Sequence, residues 1–471
     1  MPTIQTAVIL DAGKGARAWP YAQIRSKGMI PVSARPLLRH TVEALRKIGV
    51  EKIVVVGGAF AQQVKNEFRL DGDVRVIEDK APRGAAFSLL AAKDALHLAK
   101  DEGFLALYSD TLITEPDLRA LKEAFEAEGN QTALLSALRP VPEVAAFLPP
   151  RRQCDSIVCG MEDGRVRDIR GHPRDEGSHS FAGFAFSGEI FSALEANSGR
   201  FLQTQVGMMP PLEGYIEGTL ADLVEQGECV RAVEAVRHVV DIDKPWQILE
   251  ASYYLNKLRC AALSENILAE GASIHPSAAV NGKARLGAGS SIGLNVIING
   301  NVIVGRNSVI ENGAILKGDC VIGDDTKVRD GCLLSDATVG SRCIVGHGAE
   351  LSGILFDNAY LYHYMEVYGI VGENTDLGAA TVFGTLRFDD GVTRHRTRGH
   401  WEAPHPFSDA AFLGDYCRTG VNAILMPGVR VGPYSIVGAG VRLMNDLEDH
   451  TLLYAEQTQV KKAWNESVYG W

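Results

Sequence analysis

Every sixth residue from Ile274 to Leu334 is isoleucine, leucine or valine: Ile274, Val280, Leu286, Ile292, Ile298, Val304, Ile310, Leu316, Ile322, Val328 and Leu334. A period of six matches neither the 3.6 of a helix nor the 2 of a strand. It matches a coil in which each six-residue unit is one short strand and one corner, three units closing a triangular turn around stacked aliphatic residues. Gly, Asn, Asp and Ser fill the positions between, as in VIGDDTKV and VGPYSIVGAG. The phase slips by one to Val339, Val345 and Leu351, resumes as Val371, Leu377 and Phe383, and returns as Leu413, Thr419, Leu425, Val431 and Val437. The expectation is a parallel β-helix of hexapeptide repeats over residues 265–456, with a tail over 457–471. GILFDNAYLYHYMEVYG and RFDDGVTRHRTRGHWEAPHPFSDAA are expected to leave the coil as loops, where solenoids usually meet ligands or neighbours. Coils of this shape commonly trimerise, so a homotrimer or a dimer of trimers is expected.

The first half has other periods. IQTAVIL, EKIVVVGG, VRVIED and FLALYSD are short apolar runs suited to buried parallel strands, and LLRHTVEALRKIG, AAFSLLAAKDALHLAK and EPDLRALKEAFEAEG are amphipathic and helical. Their alternation predicts an α/β domain over residues 1–244, joined to the coil by a linking helix over 245–264. Ligands of such sheets sit beyond the carboxyl ends of the strands.

Charge excludes whole classes of partner. A net charge of −11 leaves no basic face for nucleic acid or an anionic membrane, so any anion must be held by local groups. No run of 18 apolar residues occurs, the first residues lack a basic export signal, and a cytoplasmic location is expected. The eight cysteines lack CxxC spacing and indicate neither zinc nor a disulfide framework.

The stretch LDAGKGARAWP…SKGMIPV follows the first strand directly. Gly13 and Gly15 let backbone N–H groups approach a phosphate, and Arg17 and Lys27 supply two cations for the same anion. This stretch resembles the sugar-1-phosphate nucleotidyltransferases, whose opening signature is LAAGxGTR, a WP-like turn, then PK and an apolar segment. The resemblance extends over nearly the whole chain, because bifunctional and archaeal-type members carry a hexapeptide β-helix behind the same domain. It implies a Rossmann-like, GT-A-like nucleotidyltransferase domain followed by a left-handed parallel β-helix. It implies Mg2+-dependent transfer from a nucleoside triphosphate, UTP or dTTP favoured, to a glucose-like or N-acetylglucosamine-like 1-phosphate.

Carried over by position, the resemblance places Gly13 and Gly15 in the nucleotide loop, Arg17 on the triphosphate and Lys27 on the α-phosphate. Asp110 in FLALYSD and Asp241 in VVDIDKPWQIL would be the Mg2+ carboxylates, while Asp110 equally suits a turn cap and Asp241 a helix start. Arg83, Gly84 and Ala85 correspond to a segment near the base, or to an ordinary helix start. Gly160 and Gly183 correspond to glycines of the sugar pocket. Departures from the pattern are Asp11 beside the base, Ser26 before the lysine, Phe181 before AGF, and Gly171, His172 and Pro173 in place of Glu-Lys-Pro.

In bifunctional members a histidine on the β-helix is the general base for acetyl transfer from acetyl-CoA. Here the candidate base is His363, yet the matching position falls on Tyr362, Thr385 stands where a sugar-contacting asparagine is expected, and the usual lysine is absent from FSDAAFLGD. Acyl transfer to an amino sugar, and a non-catalytic homologue that only binds a nucleotide sugar, are therefore the competing readings. His395, His400 and His405 invite a metal reading, with His400, His405 and Glu402 as the zinc ligands, though loop histidines beside arginines more often make surface or subunit contacts.

Overall fold

The structure, a computed structural model, describes residues 3–98, 102–138, 141, 144, 157–170, 178–196, 213–397, 399–465 and 467. The four expected strands form as Ile4–Asp11, Lys52–Gly57, Val74–Glu78 and Gly103–Tyr108. They pair in parallel, with Ile4–Asp11 between Lys52–Gly57 and Gly103–Tyr108. The sheet continues through His179–Ser187, antiparallel to Gly103–Tyr108, and then Thr132–Ala137, Arg231–Glu234, Arg165–Arg170 and Val158–Glu162, nine strands in all among the described residues. Helices Leu37–Lys47 and Glu115–Glu128 cover one face, burying Leu38, Val42, Leu45, Leu118, Leu121 and Phe125. The run expected as one helix over residues 85–100 is instead two short helices, Ala85–Ala91 and Lys93–Leu96, ending at a left-handed His97.

The second half is the expected coil. Inward residues from Leu286 to Leu443 form one continuous apolar column. Parallel ladders of 13 and 10 strands run along it. Asparagine side chains repeat up the corners at intervals of 18, as in Asn281 Nδ2 to Asn299 Oδ1 at 2.8 Å. Asn295, Asn307, Asn358, Asn374 and Asn422 turn the chain with φ between 52° and 58°, a region asparagine tolerates better than other side chains that carry a Cβ.

The first expected loop does not leave the coil. Glu350–Leu355, Tyr360–Leu361 and Glu366–Val371 are strands in register with their neighbours, and Leu355, Leu361 and Val367 keep the inward column going. Two corners are shortened there, so the six-residue count fails although the coil does not. The second expected loop does protrude. Gly369 pairs directly with Ala411, and the chain between carries a hairpin of His395–Thr397 and His400–Glu402.

Helix Pro245–Ala261 lies between the two halves and is buried on nearly all sides, including Trp246, Ile248, Ala251, Tyr254 and Cys260. Asn256 bridges them, accepting from Ser33 Oγ at 2.6 Å and donating to Thr338 Oγ1 at 2.8 Å. A single apolar cluster joins Tyr21, Ile30, Trp246 and Ile248 to Phe356, Ile370 and Phe412 of the coil.

Candidate active site

The site lies where the first strand and its neighbour Gly103–Tyr108 end, as a parallel sheet requires. Strand Ile4–Asp11 delivers the chain to Gly13, which faces open space, and Gly15, which takes φ 63°. A Cβ on Gly15 would stand 3.0 Å from Lys27 Cγ, so the glycine lets the loop lie against the lysine stem. Short 3-10 turns at Ala16–Ala18 and Lys27–Met29 present Arg17 and Lys27. Asp110 leads into Thr111–Leu112, which pairs with Val240–Asp241, and the Ile242 amide donates to the Asp110 carbonyl at 2.8 Å. Residues 130 positions apart in sequence are thereby fixed side by side.

Lys27 Nζ reaches Asp110 Oδ2 at 2.8 Å and Asp243 Oδ1 at 2.8 Å. Arg17 Nη1 reaches the other oxygen of Asp243 at 2.7 Å. Burial disfavours the lysine charge, but Asp110, Asp243 and Asp241 outweigh it and hold the pKa of Lys27 above the ordinary lysine range. Burial likewise opposes ionisation of Asp243, and Lys27 and Arg17 reverse this, keeping its carboxyl below the usual range. Two cations and three aspartates thus share one partly buried spot.

Asp243 is absent from the expected site, yet it joins both cations. The sequence carried a signal for it, a second carboxylate two residues after Asp241; the chain turns tightly there, the Asp243 amide donating to the Asp241 carbonyl at 3.1 Å around a buried Ile242. Asp11, one of the departures from the family pattern, is buried, its Oδ1 accepting from the Gly28 amide at 3.1 Å and Ser109 Oγ at 2.6 Å, so it ties the Lys27 turn to the segment between strand Gly103–Tyr108 and Asp110. Burial pushes its pKa up to about 6.

The chain matches the MobA-like NTP transferase domain over residues 7–176. It is 29% identical over 475 residues to the bifunctional protein GlmU of Methanococcus maripaludis, covering 96% of this chain and 98% of that protein. It is 23% identical over 448 residues to a bifunctional sugar-1-phosphate nucleotidylyltransferase/acetyltransferase of Sulfurisphaera tokodaii, covering 94% and 98%. The chain therefore carries an NTP transferase domain and is similar over nearly its whole length to these bifunctional enzymes. Among solved structures, a UDP-glucose pyrophosphorylase complexed with UDP-glucose aligns at 16% identity with a TM-score of 0.44, over 55% of this chain and 100% of that one.

The remaining expected residues are spread more widely. Gly84 has φ 106°, and a Cβ there would stand 2.4 Å from the Gly214 carbonyl oxygen, so the Arg83-Gly84-Ala85 turn is pressed against the segment leading to Tyr215. Arg83 is exposed and covers the Phe87 ring at 4.2 Å. Gly183 pairs with Leu107, one strand from the Asp110 end, where a Cβ would stand 2.8 Å from Leu107 Cδ2. Gly160 lies on the edge strand beside Asp168. Gly171, His172 and Pro173 lie outside the described residues. Near Asp110, the Tyr108 hydroxyl donates to a buried Glu217 at 2.7 Å.

On the β-helix, His363 is exposed on a turn, edge-on to Tyr364 at 5.4 Å. His395 is buried, its Nε2 2.8 Å from the Ser408 carbonyl and its ring 4.9 Å from Trp246, while Glu402 is taken by Lys244 at 2.6 Å. Among the described residues no group of three or more His, Cys, Asp or Glu side chains is set to hold a metal ion, and no helix is long and apolar enough to cross a membrane.

Proposed function

We propose that this enzyme transfers a nucleotidyl group from a nucleoside triphosphate to a sugar 1-phosphate. An oxygen of the sugar phosphate attacks the α-phosphorus, the bond to the β-phosphate oxygen breaks, and pyrophosphate leaves. The observation that carries this reading is the convergence of Arg17, Lys27, Asp110 and Asp243 at the carboxyl end of the parallel strands. Two anions must meet there, and Lys27 and Arg17 supply the charge that lets them. No protein nucleophile is required.

The donor set is carboxylate oxygen, which suits Mg2+ held by one or two protein groups plus phosphates and water, and Asp110 and Asp241 are the residues assigned to hold it. Bound there, Mg2+ would neutralise phosphate charge as pyrophosphate departs. The two carboxylates sit on paired segments, so the backbone spaces them before any ligand arrives. Gly13 and Gly15 leave the phosphates room to approach. UTP or dTTP with a glucose-like or N-acetylglucosamine-like phosphate is the substrate pair that the resemblance favours.

A pyrophosphate-release screen of four nucleoside triphosphates against a panel of sugar 1-phosphates in Mg2+ tests the reading. Release with at least one pair, abolished by Asp110→Asn, is expected. Tight nucleotide-sugar binding with no release across the panel would overturn it. A second reading, acetyl transfer from acetyl-CoA, is favoured by the exposure of His363 on the coil. It predicts acetyl-CoA consumption that His363→Ala removes.

A further inference from the structure

The segment between Arg17 and Lys27 touches the sheet domain through Gln63 Nε2, which donates to the Ile24 carbonyl at 2.6 Å, and otherwise packs into the β-helix. The Trp19 indole N–H donates to Asp449 Oδ1 at 2.7 Å, and the Arg430 guanidinium covers its ring at 5.1 Å. Tyr21 is fully buried, donates its hydroxyl proton to the Ile370 carbonyl at 3.0 Å and meets the Phe356 ring edge-on at 5.3 Å. Arg25 reaches Asp415 at 2.6 Å and Glu373 at 3.1 Å, with its side chain 6% exposed and that of Asp415 0%. The far side of the cluster is held in the same way, since Lys244, the residue after Asp243, pairs with Glu402 of the protruding hairpin at 2.6 Å.

We propose that the β-helix is part of the nucleotidyl-transfer site, fixing where Arg17 and Lys27 stand through Trp19, Tyr21 and Arg25, so that Arg25 and Asp415 are positioning residues for a reaction they do not touch. This rests on the nucleotidyl-transfer reading of the site. The loop's own secondary structure is only two short 3-10 turns, too little to hold two cations in place. Catalytic groups must be held to within about 0.5 Å, and the supporting shell has to do that. A buried ion pair suits the task because lifting the loop would leave the buried Asp415 carboxylate without its partner. The anchors Trp19, Tyr21 and Arg25 lie along the chain between the two working residues, Arg17 and Lys27.

The test uses the full chain with Asp415→Asn and, separately, Glu402→Gln. Two readouts are taken: the kcat of pyrophosphate release, and amide hydrogen exchange over residues 12–28. We expect kcat to fall at least about tenfold in each variant, as misplacement of reacting groups costs. We also expect the amides of residues 12–28 to lose protection in Asp415→Asn. Arg306→Ala, which cuts an exposed pair with Asp324 on the same coil, should leave both readouts at the wild-type value. Where Asp415→Asn does not fold, Asp449→Ala removes only the acceptor of Trp19, and the same changes by a smaller factor are expected. Folded variants with wild-type kcat and wild-type exchange overturn the proposal, as does lost protection with unchanged kcat. If the wild type releases no pyrophosphate from any substrate pair, the nucleotidyl-transfer reading falls and the exchange arm decides the positioning alone. Unchanged protection in Asp415→Asn then overturns it, and lost protection supports it.

Discussion

Asp243 meets Lys27 with one oxygen and Arg17 with the other, so a single side chain sets the spacing of two cations. Asp243→Asn keeps the shape and removes the charge. The expected result is a fall of about 100-fold in kcat/KM for pyrophosphate release, the scale of a lost preorganised electrostatic contact. Reading the chain by motif reached Arg17, Lys27, Asp110 and Asp241 but passed over Asp243, because the pattern being matched has its carboxylate two residues earlier. The sugar end was less legible, since a glycine such as Gly160, which stands beside Asp168, reads the same in sequence whether or not it also borders a ligand.

A buried aspartate of this site and a half-buried histidine on helix Leu37–Lys47 titrate with opposite effects on stability. Asp11 is raised by burial to about 6, so the folded state holds its proton more tightly than the unfolded chain. Its contribution to stability is present below about pH 4 and is lost as pH rises to about 6, a change of roughly 3 kcal/mol. His40 is lowered by burial to about 4, and its contribution is present above about pH 6.5 and is lost as pH falls to about 4, by a similar amount. The two nearly offset. Asp11→Asn should therefore unmask His40, giving a protein whose urea midpoint drops more steeply than wild type between pH 6 and 4. A variant that tracks the wild type across that range would contradict the assignment.

At the scale of elements, the β-helix was legible because its period belongs to no other regular structure. What the period could not distinguish was an excursion from a shortened corner. Leu355, Leu361 and Val367 point inward like the rest of the column, and only the corners before Leu355 and before Val371 are cut. The helix expected over residues 85–100 differs in another way: its alanine-rich pattern suits a helix locally, yet the chain is interrupted at the fully buried Ala92 and stops at His97, which takes φ 52°, while residues 99–100 lie outside the described residues. Helix Pro245–Ala261 shows how an element without a polar face is explained by its neighbours, the sheet domain on one side and the coil on the other. Asn256 is its polar link. Asn256→Ala leaves the Ser33 and Thr338 hydroxyls without that partner and opens a small cavity, and denaturant titration of the full chain should show a loss of roughly 2–3 kcal/mol.

Across the whole molecule, the two halves share one apolar cluster in which Tyr21 and Trp246 meet Phe356 and Phe412. Composition shifts marked the halves in the sequence but gave no sign of this shared core, because its members are scattered singly through AWPYAQIR, PWQIL and GILFD. Phe356→Ala should cost about 3–5 kcal/mol and lower the unfolding midpoint seen by probes on either half equally. Probes that report two separate transitions would show the halves to be independent.

This cluster of cations and carboxylates is proposed to move a nucleotidyl group onto a sugar phosphate. The most direct measurement follows the α-phosphorus itself. A nucleoside triphosphate labelled there, incubated with a sugar 1-phosphate and Mg2+, should pass its label to a nucleotide sugar in step with pyrophosphate release, and Lys27→Gln should slow both together. Label that stays with the triphosphate, or that transfers as fast in Lys27→Gln as in the wild type, would contradict it.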